Sequence, residues 1–208
     1  DIVRWKYQRY VKDYLKSIAS VDEGVGRVLK FLDDSGLAEN TIVIYSSDQG
    51  FYLGEHGWYD KRWMFEESFK MPFIIRWPGV IKPGSRTKAL IQNIDYGPTF
   101  LNICGADVPG DMQGRSIVPL LEKSGEKPNN WREALYYAYY GERTHQVARH
   151  DGIRTERHTL FYVPKYQEWQ LFDNDKDPQQ MKSVHGDPEY ADVLSRLQKN
   201  YQELKKGY

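Results

Sequence analysis

Two adjacent residues, Asp48 and Gln49, carry the plainest chemical potential in this 208-residue chain. They follow the run Thr41-Ile42-Val43-Ile44-Tyr45, which is β-branched, almost wholly apolar and therefore reads as a buried strand. In open α/β sheets ligands settle beyond the carboxyl ends of strands, so the pair lies where chemistry is expected. A carboxylate beside an amide oxygen makes a set of hard donors, suited to calcium or magnesium rather than zinc. Taken alone the pair is weak testimony, because an Asp after a strand more often shapes a turn or caps a helix. The sixteen Tyr and six Trp also stand out. They combine apolar bodies with polar tips and suit sugar-binding clefts as well as cores. Cys104 is the single cysteine, which rules out an internal disulfide and a thiolate-rich zinc site. It falls on an apolar helix face and is expected to be structural.

The elements that must position these residues follow from hydrophobic period. Tyr7, Val11, Tyr14, Ile18, Val21, Val25, Val28 and Leu32 alternate spacings of four and three, which marks one face of a long amphipathic helix ending near Gly36. A helix leading into a buried strand implies an α/β layer structure. Gly50 to about Phe65 is rich in Gly and aromatics and reads as an ordered loop. Pro72 to Trp77 forms a second apolar strand, stopped by the Pro78-Gly79 turn. Asp95 is expected to cap a short helix holding Pro98, Phe100, Leu101 and Ile103. The polar stretch Glu122 to Asn130 marks a domain boundary, separating residues 1–121 from residues 131–208. Beyond it Ala134 to Tyr140, Gln146 to Ile153, His158 to Val163 and Glu168 to Phe172 read as short antiparallel strands, with a turn at Gly152. Asp187-Pro188-Glu189 then opens a last helix with Tyr190, Val193, Leu194, Leu197, Tyr201 and Leu204 on one face.

Bulk charge excludes some functions. Lys plus Arg and Asp plus Glu number 29 each, so the chain lacks the basic footprint of a nucleic-acid binder. An anionic substrate would need a local cluster of cations. No apolar run approaches the roughly 20 residues required to span a bilayer as a helix.

The stretch Ser47-Asp48-Gln49-Gly50-Phe51-Tyr52-Leu53-Gly54-Glu55-His56-Gly57-Trp58-Tyr59-Asp60-Lys61-Arg62 resembles the second metal-binding motif of the type I sulfatases, a branch of the alkaline phosphatase superfamily. The likeness continues through Glu66-Glu67-Ser68, Met71-Pro72-Phe73 and Arg76-Trp77-Pro78-Gly79. It includes Ser20-Val21-Asp22 upstream, then the Asp-x-x-Pro-Thr helix at Asp95 to Leu101, and Leu171-Phe172-Asp173 with Asp175 to Pro178. It spans almost the whole chain and comes nearest to bacterial N-acetylglucosamine-6-sulfatase-like enzymes. The implied fold is the C-terminal part of an alkaline-phosphatase-like α/β sandwich, followed by a small antiparallel sheet subdomain with a C-terminal helix.

The resemblance implies that Asp48 and Gln49 are calcium ligands, with Gln49 standing where many relatives carry Asn or His. It implies that Lys61 contacts the sulfate and steadies charge on the bridging oxygen. His56 could donate to a sulfate or a sugar hydroxyl, or it could simply stabilise its loop. In the N-acetylglucosamine-6-sulfatase-like group a His- and Arg-rich segment reaches the substrate, and His145, Arg149 and His150 match it. Their alternative is a polar strand face, while Arg154 and Arg157 are expected in ion pairs or at the surface. The family's nucleophile is a formylglycine made within Cys/Ser-x-Pro/Ala-x-Arg, and that pattern does not occur in this chain. The chain opens in a helical pattern with no initiator Met, so it reads as one entered midway. A missing N-terminal half is then expected to be a partner, supplying the nucleophile and the remaining calcium ligands. Alone, the chain should bind metal weakly and turn over nothing, with an apolar helix stripe left uncovered. A periplasmic or secreted location follows from the same likeness. Two other functions compete: a phosphodiesterase or phosphonate hydrolase of the same superfamily, and a non-catalytic carbohydrate-binding module formed by the aromatic-rich second domain.

Overall fold

The structure is a computed structural model that describes residues 1–141 and 145–207. It divides into two compact units, one of Asp1–Tyr45 with Phe73–Ile81, the other of Ser46–Pro72 with the chain from Lys82 onward.

In the first unit helix α1 runs Ile2–Asp34, bracketing the periodic stripe read from the sequence. Asp1 caps it, its side chain accepting from Val3 N at 3.0 Å. Arg9–Asp13 and Lys30–Asp34 pairs at i,i+4 line its solvent side. No α1 residue is buried. Of the stripe, Tyr7, Ile18, Val21 and Val28 are 40–57% exposed, and Val11, Tyr14, Val25 and Leu32 are half-buried. Strands β1 (Val43–Ser46) and β2 (Phe73–Arg76) pair as a two-stranded sheet.

The second unit holds the short helices α2 (Glu66–Phe69), α3 (Tyr96–Ile103) and α4 (Val118–Glu122). It also holds strands β3 (Ala134–Tyr139), β4 (His150–Thr155), β5 (His158–Val163) and β6 (Glu168–Asp173), and helix α5 (Ala191–Lys205). The four strands form one antiparallel sheet in chain order, as short closely spaced strands require. Both faces are covered. Ile153, Leu160 and Leu171 point to one side and pack with Tyr190, Leu197 and Tyr201 of α5 and its entry. Phe161, Val163 and Phe172 point to the other and pack with Met64, Trp63 and Phe65 of the Gly- and aromatic-rich loop. Burial on both sides explains why β5, His-Thr-Leu-Phe-Tyr-Val, shows little polar alternation. Each fully buried Phe or Leu here contributes about 1.5–3 kcal/mol.

Four local expectations are corrected. Strand β4 starts at His150 rather than at Gln146, because Gln146 sits at φ 52°, a left-handed conformation no strand residue holds. Gly152 is no turn: it lies mid-strand opposite Phe161, where an added Cβ would stand 2.1 Å from the Leu160 carbonyl oxygen. Asp95 makes no side-chain cap to α3. Its wholly buried carboxylate instead accepts from Gln92 N and Arg115 N at 2.8 Å each and from both arms of the Arg132 guanidinium at 2.9 Å. Cys104 follows α3 and is exposed rather than packed on a buried face. Among the described residues no helix is long and apolar enough to cross a membrane.

Candidate functional site

The segment from Ser46 to Gly50 is fixed by contacts from distant parts of the second unit. Ser46 Oγ lies 2.7 Å from the Tyr96 hydroxyl. Asn93 Nδ2 donates to the Asp48 carbonyl at 2.7 Å. Gln49 Nε2 donates to Ser68 Oγ at 3.2 Å, and Gly50 N donates to Ser68 O at 3.0 Å. An added Cβ at Gly50 would stand 2.0 Å from the Glu67 carbonyl, so only glycine allows this approach of backbones. The main chain of Asp48 is therefore held while its side chain stays exposed, its carboxylate accepting from Ser47 Oγ at 3.4 Å. With the Gln49 nitrogen engaged, its amide oxygen is the end that can take a cation. Carboxylate and amide oxygens are the donors calcium prefers, yet two of them fall well short of the six to eight it needs. Among the described residues no group of three or more His, Cys, Asp or Glu could hold a metal.

Lys61 belongs to the same folded loop. Tyr52 N donates to the Asp60 carbonyl at 2.8 Å and the Tyr52 hydroxyl donates to Trp63 O at 2.9 Å. The residue before Lys61 is thereby tied to the strand-end segment's continuation. Lys61 is half-buried and makes no ion pair with any described residue. Its neighbours are paired: Asp60 with Arg62, and more distantly with His145 Nδ1 at 3.9 Å.

The four histidine and arginine candidates divide. His56 is turned inward, its ring stacked on Phe65 at 4.2 Å and its Nε2 3.4 Å from Glu67 Oε2. His145 is exposed and linked to Asp60. Arg149 is exposed and lies over the Tyr140 ring at 6.0 Å. His150 is fully buried, stacked on Trp63 at 4.7 Å, with Nδ1 2.8 Å from the Ala148 carbonyl. Burial holds its pKa below the ordinary imidazole range, although carbonyls of Ala148 and Arg62 favour the charged form. The Tyr137 hydroxyl donates to Arg62 O at 3.0 Å, and burial with Tyr139 nearby pushes its pKa up to about 12. Arg154 pairs with Glu66 at 2.6 Å and Arg157 with Asp173 at 2.7 Å, as ion pairing of these arginines required.

Sequence reasoning missed Asn93 and Ser68, the anchors of Asp48 and Gln49. They lie 45 and 19 residues from their partners, and no local pattern announces such contacts.

Comparisons with known proteins identify the family. Residues 54–207 match the family described as N-sulphoglucosamine sulphohydrolase, C-terminal. The N-acetylglucosamine-6-O-sulfatase of Bacteroides thetaiotaomicron is 46% identical over 209 residues, covering all of this chain and 38% of that protein. The solved structure of BT4656 with its substrate D-glucosamine-2-N,6-O-disulfate superposes with a TM-score of 0.93 at 46% identity, over 97% of this chain and 41% of that one. The phosphonate monoester hydrolase of Agrobacterium radiobacter superposes with a TM-score of 0.78 at 26% identity, over 91% of this chain and 40% of that one. The chain thus spans about two fifths of the length of the relatives it matches. It has the mixed helix–sheet architecture of the alkaline-phosphatase-like sulfatases, with the four-stranded antiparallel sheet and C-terminal helix in place. The chain belongs to the sulfatase family and carries its C-terminal domain.

Proposed function

We propose that this chain forms the C-terminal part of a sulfatase that hydrolyses 6-O-sulfate esters of glucosamine-type sugars. The observation that carries it is 46% identity to an N-acetylglucosamine-6-O-sulfatase across the entire chain, with the strand-end Asp48-Gln49 pair and Lys61, which makes no ion pair with the described residues, in one folded loop. Asp48 and Gln49 would hold part of a calcium shell, completed by oxygens outside this chain. Bound calcium would supply positive charge against the sulfate oxygens. Lys61 would set its ammonium against the sulfate and the departing bridging oxygen, where negative charge grows as the ester breaks. Exposed Arg149 and His145 would meet sugar hydroxyls or a second sulfate, whereas buried His150 would act behind them by setting the Trp63 ring. The chain contains no Cys/Ser-x-Pro/Ala-x-Arg pattern, and Cys104 is followed by Gly105-Ala106-Asp107. The formylglycine nucleophile would therefore come from a longer polypeptide or a separate piece. A periplasmic or extracellular site of action accompanies this reading.

The decisive experiment assays the full-length protein on N-acetylglucosamine-6-sulfate and on an aryl phosphonate monoester, with and without a calcium chelator. Calcium-dependent release of sulfate supports the proposal. A strong preference for the phosphonate would favour the second reading, which rests on the likeness to the phosphonate monoester hydrolase. At 26% against 46% identity, that reading has the weaker support.

A further inference from the structure

The imidazole of His56 and the carboxylate of Glu67 face each other inside the loop, outside the chemistry assigned above. Their side chains are 10% and 20% exposed, and Nε2 and Oε2 stand 3.4 Å apart. Both atoms are buried, and among the described residues neither makes a hydrogen bond, so each polar atom has the other as its facing charge-bearing group at 3.4 Å. The ring is clamped on two sides, stacked on Phe65 at 4.2 Å and edge-on to Tyr52 at 6.1 Å. Its backbone is held at φ 54°, a left-handed conformation that a non-glycine residue keeps only when its surroundings impose it. The ring is largely withdrawn from the surface, at 10% side-chain exposure. Its Nε2 faces the Glu67 carboxylate.

That neighbour sits at a junction. The Glu67 main chain is pressed against Gly50, and the next residue, Ser68, holds Gln49 through its hydroxyl. His56 in turn belongs to the turn Glu55–Gly57, within the loop closed by Tyr52 N and Asp60 O just before Lys61. The approach of His56 to Glu67 therefore joins the segment that would present the anion-binding ammonium to the segment that would present the metal-binding amide. Resting on the sulfatase reading above, we propose that His56 and Glu67 are positioning residues: a buried clasp that sets Lys61 relative to Gln49 without touching the substrate. The imidazole donates through Nε2–H and the carboxylate accepts. No proton is transferred in turnover.

The test uses full-length protein carrying His56→Phe, Glu67→Ala, Glu67→Gln or His56→Phe with Glu67→Ala. Two quantities are read: calcium affinity by titration calorimetry, and kcat and KM on N-acetylglucosamine-6-sulfate. Phe keeps the stack on Phe65 but removes the donor. Each of His56→Phe and Glu67→Ala is expected to weaken calcium binding several-fold and lower kcat about tenfold, with KM little changed. The double variant should be no worse than either single one, as expected for two residues acting as a unit. Gln at position 67 can still accept from Nε2–H and should restore most of both. A raised KM with unchanged calcium affinity in His56→Phe would make the ring a substrate contact and overturn the clasp. So would additive losses in the double variant. If His56→Phe fails to fold, the Glu67→Ala and Glu67→Gln pair decides, and equal calcium affinity in both overturns the proposal. An inactive wild type would instead fail the sulfatase reading, while the calorimetry would still judge the clasp.

Discussion

The site residues differ in what holds them, and that sets what each substitution should do. Lys61 makes no ion pair with the described residues, so its removal strands no described partner and the loss should fall on chemistry. Deleting one preorganised charge contact of this kind costs about 2.7–4 kcal/mol of transition-state stabilisation. Lys61→Ala in the full-length enzyme should therefore lower kcat/KM on a sulfated sugar by about 10²–10³, with an unchanged melting temperature. Retention of near wild-type kcat/KM would remove Lys61 from the mechanism. Asp48 is exposed in its side chain but anchored in its main chain by Asn93. Asp48→Asn keeps the turn and one oxygen donor while removing a negative charge. Calcium titration should show affinity reduced at least tenfold, with circular dichroism unaltered. Gln49 differs, because its nitrogen already holds Ser68. Loss of that side chain would disturb the segment as well as the metal.

At the scale of elements, what was legible in the sequence is what hydrophobic period controls. Helix α1 and strands β1, β2, β5 and β6 were readable because each repeats a period of 3.6 or forms an apolar run between turn residues. The onset of β4 was not, since the left-handed backbone at Gln146 leaves no compositional mark. Nor was the use of Asp95, which looked like a helix cap because cap and buried ion pair use the same residue type. Its partner Arg132 lies 37 residues away and is itself largely buried, at 15% side-chain exposure. This pair ties the entry of α3 to the chain that leads into β3. Arg132→Met would leave a buried carboxylate with only its two backbone donors, and removing one member of such a pair costs about 3–5 kcal/mol. Thermal unfolding should register that loss, and Asp95→Leu with Arg132→Met should recover a large part of it. A single variant as stable as wild type would show the ion pair to be dispensable. The candidate site followed the same logic: Asp48, Gln49 and Lys61 were readable as a contiguous motif, but their supports at Asn93 and Ser68 exist only once the chain has folded.

Across the sheet as a whole, burial on both faces makes the second unit sensitive to pH. His150 lies on the loop face against Trp63, and His158 lies on the α5 side at 7% exposure. Burial lowers the native pKa of each; at His158 the charge of Asp173 opposes this, and Arg157 and Arg196 reinforce it. The unfolded chain takes up these protons near pH 6.5, about the unperturbed imidazole value. Between that pH and the lower native pKa values the unfolded state binds more protons, so stability falls as pH falls through this window. The carboxylates act in a separate window with a different cause. Arg157 and, after the opposing effect of burial, Tyr190 hold Asp173 well below the usual carboxylate range. Burial raises Asp151, but Lys205, Tyr201 and Tyr136 together pull it lower. Both carboxylates thus contribute stability that is present above about pH 4 and lost as pH falls further toward their native values. Two declines are expected, one starting below about pH 6.5 and another below about pH 4. Hydrogen exchange of the β4 and β5 amides in the full-length protein, corrected for intrinsic rates, should show protection dropping between pH 7.5 and 5.5. His150→Phe keeps a ring against Trp63 but cannot be protonated, so it should flatten the first decline in part, with His158 carrying the rest. If protection in wild type stays constant over that interval, burial of the two imidazoles is not what sets the stability of this sheet.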